Sequence, residues 1–107
     1  MRFNLTKNTF QHFVLESKLP AIVEFTASWC GSTSIIRPIM KKLNFTYKGK
    51  INFYRINIET NRTIANQYGI NSIPVLLIFK NGSVENVING TFTADELEEK
   101  ISVILKK

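Results

Sequence analysis

The sequence predicts an α/β fold in which a mixed central β-sheet is flanked by helices. Three observations carry that reading. Short apolar or β-branched runs alternate with segments of helical period along the whole chain. The early runs are separated by helical patterns, as parallel strands require, whereas the last two are joined by "KNGS", a two-residue hairpin signal that makes them antiparallel. The chain has 107 residues, 44% of them hydrophobic, enough for a single core in one domain over residues 1–107.

Residues 2–5 read as a short strand. Thr6 can cap a helix whose Phe10, Phe13 and Val14 recur at i, i+3 and i+4, with Leu19-Pro20 ending it. "AIVEFT", residues 21–26, is apolar but for its glutamate and final threonine, as befits a strand covered on both faces. From residue 32 to about 47, Ile35, Ile36, Ile39, Met40 and Leu43 make one apolar helical face, and Pro38 inside it predicts a kink. "INFYRINI", residues 51–58, is a strand by its β-branched and aromatic content. "NRTIANQYG" is a short helix closed by Gly69, a residue type that tolerates the left-handed position after a helix. "VLLIF", residues 75–79, is a buried strand, and "VENVI" returns as an edge strand with its register set by the turn. Thr93-Ala94-Asp95-Glu96 is a capping box that opens a last helix with Leu97, Ile101, Ile104 and Leu105 on one side. The order is βαβαβαββα, an α/β sandwich.

Composition narrows the function. Cys30 is the one cysteine and His12 the one histidine, in separate segments, so an internal disulfide is impossible and no metal site or cofactor is expected. The N-terminal "MRFNLTKNTF" lacks the apolar stretch of a signal peptide, and nowhere do about 18 apolar residues run together. A cytoplasmic or organelle-internal location is expected, with no membrane partner. The 14 Lys+Arg against 8 Asp+Glu give a net charge of +6. Lys41, Lys42, Lys48, Lys50, Lys106 and Lys107 fall at a helix end, a turn and the C-terminus, where solvated lysines complement helix dipoles. No basic stripe interleaves with aromatics, so nucleic acid is not an expected partner. A monomer is expected.

Cys30 lies between a buried strand and a helix N-terminus, where backbone N–H groups and the helix dipole stabilise an anion. A thiol so placed forms its thiolate more readily than a free one, and the thiolate is the nucleophile. Small Gly31 and Ser32 leave room for another chain to approach. On spacing alone, an inert cysteine packed as a small hydrophobe stands as an equal alternative.

"FTASWCGSTSIIRPIMKKL" followed by "INFYRINIETNRTIANQYGINSIPVLLIFKNGSV" resembles thioredoxin across almost the whole chain. Trp29-Cys30-Gly31 matches the family's Trp-Cys-Gly, Pro38 its helix proline, Ile73-Pro74 the Ile-Pro ahead of the hairpin, and Gly90 the glycine after the last strand. The resemblance implies a thioredoxin fold with a cis bond at Pro74 facing Cys30 across a groove. It implies that the Ile73 backbone pairs with an extended substrate segment by strand addition, and that Trp29 and Gly90 wall the groove. The plainer alternatives are core packing for Trp29 and an ordinary strand-entry proline for Pro74.

The chain departs from the family in two places. Thioredoxins carry Cys-Gly-Pro-Cys, and here Cys30-Gly31-Ser32-Thr33 puts a hydroxyl where the resolving thiol belongs. That thiol is what releases a mixed disulfide, so the usual cycle cannot close within one molecule. Thr33 can still donate a hydrogen bond to the Cys30 thiolate, and Ser32 restores a backbone N–H that the proline lacks. Glu24 and Arg55 take the positions of the family's buried aspartate and nearby lysine, either as a structural pair or with Glu24 moving a proton. The reading that follows is a thiol–disulfide oxidoreductase in which Cys30 forms mixed disulfides with protein substrates and an external thiol such as glutathione resolves them. A groove-binding module in which Cys30 is incidental is the main alternative, followed by a substrate-trapping variant of a dithiol protein and a redox sensor.

Overall fold

Six consecutive buried residues, Ala21–Thr26, form β2, and the sheet is assembled on both sides of it. The computed structural model describes residues 3–31 and 33–106. Residue 2 of the first expected strand, Ser32 and Lys107 lie outside the described residues, and so does the Thr33 side chain. The elements run β1 (Phe3–Leu5), α1 (Lys7–Phe10), β2, α2 (Thr33–Thr46), β3 (Asn52–Asn57), α3 (Arg62–Gln67), β4 (Val75–Lys80), β5 (Ser83–Asn89) and α4 (Ala94–Lys106). The sheet order is β1-β3-β2-β4-β5. β1 and β2 both pair with β3 in parallel, and β4 is antiparallel to both β2 and β5. This is the mixed α/β architecture the sequence predicts, with β5 at one edge of the sheet and β1 at the other.

Alternation along β2 divides the core in two. Ile22 packs on one face with Phe53, Leu76 and Ile78 of the sheet and with Met40 of α2 and Leu97 of α4. Val23 and Phe25 pack on the other face with Phe79, Phe10 and Ile64. The Phe10 and Phe79 rings meet edge-on at 5.7 Å between centroids. The capping box of α4 is formed: the Thr93 N–H donates to Glu96 Oε1 at 2.9 Å and the Glu96 N–H to Thr93 Oγ1 at 3.1 Å. No described helix is long and apolar enough to cross a membrane.

Four sequence expectations change. The first helix does not stay α-helical to Leu19. It widens into a π-helical segment, Gln11–Leu15, where the Glu16 N–H reaches the Gln11 carbonyl five residues back at 2.9 Å. The Ser17 hydroxyl then donates to the Leu19 carbonyl at 2.7 Å and accepts from its N–H at 3.2 Å, offering the backbone a turn instead of a further helical turn. Ile35 is 60% exposed and Leu105 is 38% exposed, because the inward stripes are narrower than the apolar patterns: Ile36, Met40 and Leu43 fill one, Leu97, Ile101 and Ile104 the other. The hairpin register is not set by its turn alone. Ile78 faces Asn86 while Phe79 faces Val84, so a bulge takes one extra residue into β5.

The hairpin turn also explains a glycine. Asn81 and Gly82 both have positive φ, at 53° and 79°, and a Cβ on Gly82 would lie 2.9 Å from the Leu15 carbonyl oxygen. Gly82→Ala therefore meets both strain and backbone. In urea denaturation it is expected to lower stability by about 2 kcal/mol or more, against about 1 kcal/mol for Gly49→Ala, whose Cβ would have nothing within 4 Å. Equal losses would contradict the contact with Leu15.

Candidate active site

Phe25 of β2 pairs with Val75 of β4, so the segment that follows β2 and the turn that precedes β4 lie at one end of the sheet. The first carries Cys30 and the second carries Ile73-Pro74, whose peptide bond is cis. The Gly90 N–H donates to the Pro74 carbonyl at 2.9 Å, which ties the end of β5 to the proline. Trp29 is 68% exposed, which excludes core packing as its role. Pro74 is buried, Ile73 and Gly90 are half-buried, and Gly31 is exposed with open space where a Cβ would stand.

Local hydrogen bonds hold the cysteine loop. The Cys30 N–H donates to the Ala27 carbonyl at 3.1 Å, and the Gly31 carbonyl accepts from the Ser34 N–H at 3.2 Å and its hydroxyl at 2.8 Å as α2 begins. Ser28 binds the loop after β3, its N–H and hydroxyl donating to Glu59 Oε1 at 2.9 and 2.8 Å. The Ser28 N–H, then its hydroxyl, lower the Glu59 pKa below the ordinary carboxylate value, with smaller help from Asn57 and the Arg62 charge and some opposition from desolvation.

Cys30 is half-buried and lines an open cavity of about 460 Å³. The cavity is bounded by the carboxyl ends of β1, β2 and β3 and by the start of α2, with Arg37 and Arg55 among its walls. Carboxyl ends of parallel strands are where open α/β sheets present their crevices. Glu24 stands directly across from Arg55 in the parallel ladder and is fully buried. Its Oε1 lies 3.6 Å from Arg55 Nε, an ion pair longer than a good hydrogen bond. Burial, and then the like charge of Arg37, push Arg55 below its ordinary value. The guanidinium nonetheless stays charged at any physiological pH.

The expected site residues thus fall into two groups. Cys30 and Gly31 border the cavity with Arg55 in front of Glu24, whereas Trp29, Ile73, Pro74, Gly90 and Glu24 itself are not among its walls. Ser32 and the Thr33 side chain lie outside the described residues. Sequence reasoning missed Arg37, Ser34, Asn57, Thr60 and Asn61, which also line the cavity. The end-of-strand position of Asn57 was the available signal; nothing local singles out Arg37. Among the described residues no group of His, Cys, Asp or Glu could hold a metal ion.

The thioredoxin family model matches residues 2–103. The chain belongs to the thioredoxin family. It is 41% identical over 102 residues to "Thioredoxin M4, chloroplastic" of Arabidopsis thaliana, a match covering 95% of this chain and 53% of that protein, so the chain spans about half that relative's length. It is 43% identical over 82 residues to a thioredoxin of Rickettsia felis, covering 77% of this chain and 78% of the other. To thioredoxin 1 of a Nostoc species it is 36% identical over 97 residues, covering 91% of each.

Two outcomes test this thioredoxin-family site as a structure. Arg55→Met removes the cation facing a fully buried carboxylate and is expected to lower stability by about 2 kcal/mol, discounted because Arg55 is 21% exposed; the Glu24→Leu/Arg55→Met double variant should recover most of it in urea denaturation. A double variant less stable than the Arg55→Met single would contradict the pairing. Glu59 has a depressed folded value, so the native state binds fewer protons there than the unfolded chain. The stability it adds is complete above the ordinary value of 4.5 and is lost as pH falls through the folded value. Glu59→Gln should therefore flatten the fall of the urea midpoint between about pH 5 and pH 3, and an unchanged slope would contradict the Ser28 bonds.

Proposed function

We propose that the chain is a thiol–disulfide oxidoreductase of thioredoxin type that works through the single nucleophile Cys30. The observation that carries this reading is the position of Cys30, half-buried and lining an open cavity, with Gly31 exposed beside it and α2 starting just beyond. An approaching disulfide meets little steric obstruction there. The Cys30 thiolate attacks one sulfur of a substrate disulfide, that S–S bond breaks, a mixed disulfide forms, and the departing thiolate takes up a proton. With Thr33 in place of a second thiol, release falls to an external thiol such as glutathione.

The substrate segment lies against exposed Trp29 and half-buried Ile73, Pro74 and Gly90. Among the described residues no backbone–backbone hydrogen bond outside the regular elements engages Ile73, which leaves it for strand addition. Gly31 and Ser32 give clearance and backbone donors, and Thr33 donates a hydrogen bond to the thiolate; for Ser32 and Thr33 these roles rest on sequence position. Glu24 acts through Arg55 as a positioning residue, since it is fully buried and does not border the cavity. The partners are protein disulfides in a reducing cytoplasmic or organelle-internal compartment.

Reduction of a disulfide-bonded protein with glutathione as sole reductant tests this. The wild type is expected to accelerate it and Cys30→Ser to return it to the uncatalysed rate. Trp29→Ala should raise KM about tenfold with kcat little changed. Acceleration that survives Cys30→Ser would overturn the role of the thiol, and partner binding indifferent to Cys30→Ser would favour a groove-binding module built on Trp29.

A further inference from the structure

The thiol chemistry leaves most of the cavity beside Cys30 unused. Arg37, exposed on α2, and Arg55, on β3, both border it. Arg55 is engaged by Glu24, but among the described residues no carboxylate lies within 4 Å of Arg37. The cavity therefore carries a net positive wall. Part of the remaining lining is polar and held in place: the Asn61 amide donates to the Asn57 carbonyl at 2.9 Å and its Oδ1 accepts from the Lys7 N–H at 3.0 Å, with Asn61 only 6% exposed. A volume of about 460 Å³ suits a small organic molecule rather than a lone ion or a folded chain.

A preformed, polar, cation-walled cavity opening onto a thiol matches a small anion that itself carries sulfur. We propose that this cavity binds the carboxylate-bearing low-molecular-weight thiol that resolves the Cys30 mixed disulfide, its carboxylate held by Arg37 and Arg55. The inference rests on Cys30 acting as the nucleophile proposed above. The bound thiolate attacks the Cys30 sulfur, the bond between Cys30 and the substrate breaks, and the substrate sulfur leaves as a thiolate that takes a proton from water. Cys30 is then joined to the small thiol. A second equivalent attacks the small-thiol sulfur of that adduct, freeing the Cys30 thiolate and a small-molecule disulfide. The substrate disulfide has gained two electrons and two protons, and two small thiols have been oxidised to one disulfide. Arginine suits this task, since its planar fork can hold a carboxylate through paired hydrogen bonds.

The test uses the full chain with Cys30 converted by dithiodipyridine to a neutral thiopyridyl mixed disulfide, and follows release of pyridinethione. The probes are glutathione and its diethyl ester, which has the same thiol but masked carboxylates. In the wild type, glutathione is expected to react faster than the ester. Arg37→Glu should slow glutathione about tenfold and change the ester less than about twofold. Arg37→Lys should restore part of the rate. Equal rates for the two probes in the wild type, or equal slowing of both by Arg37→Glu, would overturn the inference while leaving Cys30 as a nucleophile. Failure of Cys30 to form the thiopyridyl adduct would overturn the underlying function and the inference with it.

Discussion

Burial of β2 on both faces is the constraint on which the rest of this structure depends. A strand with all six residues buried needs a neighbour on each edge and a helical layer on each face, and β3, β4 and the two core clusters supply them. The same burial makes Glu24 a problem in its middle. A carboxylate there requires a cation at the same level of the sheet, and the parallel ladder delivers Arg55 opposite it. Because Arg55 reaches from that rung to the cavity, a solution to a core problem also places positive charge near Cys30.

The loop after β2 inherits its position from the strand. Leaving a central strand at its carboxyl end, the chain must clear the sheet before α2 can pack on it, and the small residues Ala27, Ser28 and Gly31 let it turn closely. Ser28 then clamps the loop to Glu59, while Ser34 closes the first turn of α2 on the Gly31 carbonyl. The thiol is thus presented by backbone bonds and caps rather than by packing, an arrangement that keeps it half-buried yet reachable. Pro74 and Gly90 are joined to each other by a backbone hydrogen bond, and neither is among the walls of the Arg-lined cavity that Cys30 borders.

Much of this was legible in the sequence because it depends on local pattern. The apolar run of β2, the hairpin at Asn81-Gly82 and the capping box at Thr93 and Glu96 follow from residue type and spacing, whereas the Glu24 and Arg55 positions come from the resemblance to thioredoxin. What escaped depends on three-dimensional closure. Periodicity could not say that Ile35 and Leu105 fall outside stripes whose width the sheet determines, nor that a five-residue-back hydrogen bond would widen the first helix. Arg37, Asn57, Thr60 and Asn61 come from α2, β3 and the loop beyond it, and only the sheet order brings them to one cavity.

The central claim is that the fold makes Cys30 a nucleophile rather than a packed side chain. The most direct measurement is the rate of Cys30 alkylation by iodoacetamide at neutral pH in the folded chain and in the same chain unfolded in urea. The account predicts that the folded chain is alkylated to completion without urea, because Cys30 is only half-buried and lines an open cavity. No alkylation until urea is added would mean that the structure shields the thiol and would contradict it.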